Sequence, residues 1–170
     1  MKVTGAILFV LATSLVGFDM SNRLTERTKQ LRMFIYSLQL IEAEMTYSYH
    51  SLQQVFVNVS EKTNGIISTF YKELAIKLKF PINQFIQLWE NELMLLQKFS
   101  MLQKEEIDIL KQFGQNIGNH TIEQQRKQIK LTNFYLQKQL DGATEIKQKY
   151  DKTVKSLGVL IGLFIVLLLL

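Results

Sequence analysis

The sequence has no cysteine, a single proline, a single tryptophan and two histidines among its 170 residues. Without cysteine no lipidated cysteine is possible; the absence also fits a reducing compartment, although cysteine-free chains occur elsewhere. His50 and His120 are far apart and both sit near turns, and no metal-ligand spacing, nucleophile elbow or phosphate-binding glycine loop accompanies them. No catalytic residue, metal, cofactor or small-molecule substrate is therefore expected. No clear run of alternating apolar and polar residues suggests a strand.

Charge is missing from two stretches. After Lys155 come fifteen uncharged residues, Ser156–Leu170, and near the start Val3–Phe18 reads VTGAILFVLATSLVGF. As helices at about 1.5 Å per residue each is roughly 22–24 Å long. A bilayer core of about 30 Å asks for about 20 residues. Asp19–Met20 and Thr153–Lys155 extend the two, and a lysine at such an end can snorkel. The competing reading of the first stretch, a cleaved signal peptide, wants an A-x-A-like site that SLVGFD lacks.

The flanking charges set an orientation. Only Lys2 and the amino terminus precede the first stretch, whereas Arg23, Arg27, Lys29 and Arg32 follow it. Lys147, Lys149, Lys152 and Lys155 precede the second. The basic-rich side belongs in the cytoplasm. Residues 1–20 and 154–170 are thus expected to be transmembrane helices, with residues 21–153 a cytoplasmic domain between them. The net charge of +5 gathers largely beside these segments, where it attracts anionic lipid, and no basic–aromatic patch of a nucleic-acid module is visible.

The middle region has helical period. Apolar residues recur at helical spacing through Leu31, Phe34, Ile35, Leu38 and Met45; Ile67, Phe70, Tyr71, Leu74 and Leu78; Phe85, Ile86, Trp89, Leu93 and Leu96; and Ile107, Leu110, Phe113 and Ile117. Ser51 can cap a helix through LQQVFVNVSEK, Asn64-Gly65 breaks the chain, Pro81 separates two stripes, and Gly118-Asn119 is a stop. Glu105, Glu106 and Asp108 place favourable charge at a helix start. Thr121 with Gln124 forms a capping box.

Beyond Thr121 nothing stops the helix. Ile122, Ile129, Leu136, Ala143, Tyr150 and Leu157 fall seven apart, and Gly142 is the one weak point. One long helix is predicted from Ile122 into the apolar tail. The expected fold is all-α: an antiparallel bundle of about six helices, its last helix continuous with the C-terminal membrane helix. Gly158 and Gly162, and likewise Thr13 and Gly17, are small residues four apart. That spacing allows close helix packing in lipid, between the two segments or against a partner, itself a route to self-association. Glycine is also simply common in membrane helices.

One residue breaks the pattern. At 100° per residue Glu42 falls between Leu38 and Met45 in an apolar stripe. Buried there, it must be paired or protonated. Either it pairs with a base of another helix or it meets a partner protein. Glu44 lies well off the stripe and is the freer docking candidate.

The stretches RTKQLRMFIYSLQLIEAEMTYSYHSLQQVF and FGQNIGNHTIEQQRKQI, followed by KSLGVLIGLFIVLLLL, resemble the stage III sporulation protein AB family from the first apolar segment to the last residue. The turn GNHT departs from the Gly-x-Ser-Asp form associated with that family, with Thr121 still available as a cap. The resemblance implies a likeness to the cytoplasmic domains of the platform protein of type II secretion and type IV pilus systems. It implies a place in the channel joining mother cell and forespore, in the mother-cell membrane. A stage III sporulation protein AA-like ATPase would be a partner. The other class left open is a membrane-anchored helical scaffold or regulator unrelated to secretion.

Overall fold

In the computed structural model of the chain each apolar stripe forms a helix, and the order is α1 (Lys2–Tyr47), α2 (Leu52–Lys62), α3 (Gly65–Lys77), α4 (Phe85–Phe99), α5 (Lys104–Asn116) and α6 (Ile122–Leu169). The structure describes the backbone of residues 2–47, 50–78, 85–117 and 121–169, and the side chains of these apart from 2–18, 47, 122 and 154–169. Among the described residues there is no strand.

Local chemistry sets the boundaries. The Ser51 hydroxyl accepts from the Gln54 amide and starts α2. Gly65, the first residue of α3, has φ +60°, a backbone conformation that costs glycine little and other residues more. Gln103 and Glu106 form a reciprocal capping box on α5. The Thr121–Gln124 box holds on α6: Thr121 N–H donates to Gln124 Oε1 at 3.2 Å, and Gln124 N–H to Thr121 Oγ1 at 3.4 Å. The expected breaks at Pro81 and Gly118-Asn119, and His120 with them, lie outside the described residues.

The core is aromatic. Trp89 packs edge-on against Phe70 and Phe113, with centroids 5.1 and 5.6 Å apart. Its indole N–H donates to the Leu110 carbonyl at 2.8 Å, which satisfies the polar end of a fully buried side chain. A Cβ on Gly114 would overlap that indole ring, so α5 needs a glycine where it crosses Trp89. Ser37 donates to the Phe34 carbonyl at 2.7 Å, which leaves the Tyr71 hydroxyl as donor in the 2.8 Å contact between the two side chains. Burial pushes the Tyr71 phenol well above its usual range. Ile86 departs from the expected stripe: it is exposed.

α1 and α6 run antiparallel and are clipped at both ends of the bundle. Ser21 donates to Asp151 at 3.0 Å at one end, and Arg126 to Glu42 at 3.4 Å at the other. The seven-residue stripe of α6 supplies this seam through buried Ile129, Leu136 and Ala143. Among the described residues no helix is long and apolar enough to cross a membrane. The expected membrane segments fall on stretches for which only the helical backbone is described: 2–18 lies within α1 and 154–169 within α6. The side chains of Thr13, Gly17, Gly158 and Gly162 lie outside the described residues, so their packing does too.

Candidate functional site

Glu42 and Glu44, the two docking candidates of the sequence, lie near the end of α1, close to the start of α2. Both carboxylates have partners within the chain. Glu42 keeps 20% of its side-chain surface and faces Arg126 of α6, itself 45% exposed, at 3.4 Å. Such a half-open pair contributes little, about 0–1 kcal/mol. Of the two readings of Glu42, the geometry provides the base on another helix, while the carboxylate stays reachable from solvent.

Glu44 is the less free of the two, which corrects the sequence expectation. Its side chain is only 12% exposed. It accepts from His50 Nδ1 at 3.0 Å, Asn58 Nδ2 at 3.0 Å and Lys62 Nζ at 3.2 Å. The His50 hydrogen bond, partly opposed by burial and aided by Asn58 and Lys62, holds its carboxyl below the usual range. The physical reason is α2. After the turn at Ser51 this helix folds back across α1 and covers a face that α1 alone would leave to water. Glu44 therefore fastens α2 to α1.

Two charged contacts were not visible in the sequence. Arg27 and Glu106 form a buried ion pair: Arg27 Nε and Nη2 donate to Glu106 Oε1 at 2.9 and 2.6 Å, with side chains 7% and 0% exposed. Glu106 is thus both the capping acid of α5 and the counter-charge of α1. Lys77 bridges Glu92 at 2.8 Å and Glu73 at 3.4 Å, tying α3 to α4, and the Glu92 hydrogen bond raises the lysine's pKa. A hint of the first pair was present in Arg27, which lies on the same face as Leu31, Phe34 and Leu38. Its partner sits 79 residues away, and no local pattern links them.

Among the described residues no cluster of three or more acidic or histidine side chains could hold a metal ion. The chain's polar contacts clip helices together.

Comparison with known proteins gives consistent results. Residues 2–170 match the family described as stage III sporulation protein AB. The stage III sporulation protein AB of Bacillus subtilis (strain 168) is 33% identical over 169 residues, covering 99% of each chain. A solved structure of a stage III sporulation protein AB superposes with a TM-score of 0.68 at 27% identity, over 73% of this chain and 98% of that one.

Proposed function

The chain belongs to the stage III sporulation protein AB family, and from that premise we propose that it is a membrane platform of the mother cell–forespore channel. It acts without catalysis, by coupling a cytoplasmic ATPase of the stage III sporulation protein AA type to the transenvelope assembly. Both ends, 1–20 and 154–170, anchor in the mother-cell membrane, and residues 21–153 form the domain that faces the cytoplasm.

The observation that carries this reading is the continuity of the two end helices. α1 runs 46 residues and α6 48 residues without a break, each joining an uncharged stretch to the packed bundle. A helix interrupted by a loop would let the bundle swivel; an unbroken one transmits displacement along its axis. The clips at Ser21–Asp151 and Glu42–Arg126 bind the two helices into one strut. Glu42 lies at the far end of that strut from the apolar stretches, where a cytoplasmic partner can reach it. Glu42 is accordingly the acid assigned to docking, with Glu44 kept for holding α2.

Co-purification of the full chain with the ATPase tests the function. The expected result is retention by the wild type and weakened retention by Glu42→Arg. An ATPase that never co-purifies with the wild-type chain overturns the platform reading.

A further inference from the structure

We propose that the α4–α5 turn is a third membrane contact, resting on the headgroups between the two anchoring helices. The proposal builds on the two-ended anchor above. The α4–α5 junction carries the most exposed large apolar side chain among the described residues, Phe99 at 74%, and two residues further on Met101, exposed to 39%. Two neighbouring exposed apolar groups on a turn have no role in folding, since neither belongs to the core.

Their position along the bundle identifies what they meet. The Met101 amide donates to Gln30 Oε1 at 2.8 Å, and Glu106, at the start of α5, pairs with Arg27. The turn is therefore level with residues 27–30 of α1, toward the end that continues into the first apolar stretch. It is far from Glu42, which marks the opposite end. Arg27 and Gln30 follow Met20 by seven and ten residues, about 10 and 15 Å of helix. The headgroup layer on each side of the hydrocarbon is about 5–8 Å thick. At the level of Arg27 a phenylalanine or methionine side chain from the turn spans the difference. Exposed Lys98 and Lys104 flank the apolar pair, and the exposed acids Glu105 and Asp108 lie further along α5, so the charges next to Phe99 and Met101 are the two lysines, which suit an anionic surface. An aromatic group with flanking lysines is the composition that settles at a lipid interface.

Such a contact would fix the tilt of the bundle. Two helices define an axis about which the domain can rock, and a third point off that axis stops the rocking. A partner pulling at the Glu42 end would then act on a braced lever.

The cysteine-free sequence makes the test direct, because any introduced thiol is unique. Full-length Phe99→Cys, Phe134→Cys and Leu163→Cys are labelled with a fluorophore and reconstituted into vesicles of phosphatidylethanolamine and phosphatidylglycerol. Phe134 is 65% exposed on the outer face of α6 and serves as the aqueous reference. Lipids bearing a nitroxide at the headgroup should quench the label at position 99 and spare that at 134, while acyl-chain nitroxides should quench the label at 163. Quenching at 163 with none at 99 overturns the third contact and leaves the anchor standing. No quenching at 163 removes the anchor, and the contact with it. A label at 99 that is shielded from an aqueous quencher yet untouched by lipid nitroxides is covered by another protein chain, which also overturns the proposal. Full-length Phe99→Ser should keep its melting temperature in detergent within a few degrees, since Phe99 is 74% exposed and outside the core.

Discussion

Glu44 gathers three donors onto one carboxylate, and its value can be separated from that of its neighbour Glu42. Hydrogen bonds to a charged group contribute about 1.5–3 kcal/mol when the group is largely buried. Glu44→Ala should therefore destabilise the full chain in detergent by about 2 kcal/mol, whereas Glu42→Ala should cost under about 1 kcal/mol. The pH dependence has a fixed sign. The folded carboxyl is held below its unfolded value near 4.3, so its stabilisation is complete above that value and is lost as pH falls through the folded pKa. The wild type and Glu44→Gln should converge in melting temperature as the buffer is taken from pH 7 below pH 4. Thermal melts across that range read this directly, and a constant gap would assign the loss to packing instead. The Arg27–Glu106 pair is a larger matter. Removing one member strands a buried charge, a cost of about 3–5 kcal/mol. Arg27→Ala should lower the melting temperature by about 10 °C, and a shift of only one or two degrees would show that water reaches Glu106. Neither pair could be read from the chain. A projection of one helix places Glu44 off the apolar stripe but says nothing about the helix that later covers it. Arg27 and Glu106 are joined only by the packing of α5 on α1.

At the scale of the element, the long helices were the most legible part of the molecule. Ile129, Leu136 and Ala143 lie on one face because seven residues make nearly two turns, and that face packs on α1. The capping box at Thr121 is equally local, and so is the Ser51 cap. Ile86 shows where periodicity misleads: it stands next to the buried stripe of Phe85, Trp89, Leu93 and Leu96 and is itself exposed. Gly142 gives a sharp test of the strut. It is helical and exposed, and a Cβ there would meet nothing within 4 Å. Gly142→Ala should therefore stabilise the chain by about 1 kcal/mol through lower backbone entropy in the unfolded state. A thermal melt that shows no gain would mean α6 is bent at this point. If the strut must be stiff, the same variant should retain the ATPase at least as well as wild type.

At the scale of the whole molecule, topology follows from which end of the bundle holds the chain's two uncharged stretches. Ser21 and Asp151 touch, so α1 enters and α6 leaves at the same end, and a flat membrane there can receive both. The basic residues sit on the bundle side of each stretch, Arg23, Arg27, Lys29 and Arg32 after the first and Lys147, Lys149, Lys152 and Lys155 before the second. Each cluster independently favours a cytoplasmic bundle, and the two cannot be satisfied separately, because one rigid bundle lies between them. A phosphatase active only outside the cytoplasm, fused after Leu170, should be active, and the same enzyme inserted between Asn64 and Gly65 should be silent. Activity at both sites would place the bundle outside and sink the orientation, and with it the docking of a cytoplasmic ATPase. Replacing Lys147, Lys149, Lys152 and Lys155 together by glutamine removes one of the two signals. The C-terminal fusion should then lose part of its activity, while the Asn64–Gly65 insertion stays silent, held by the basic residues of α1.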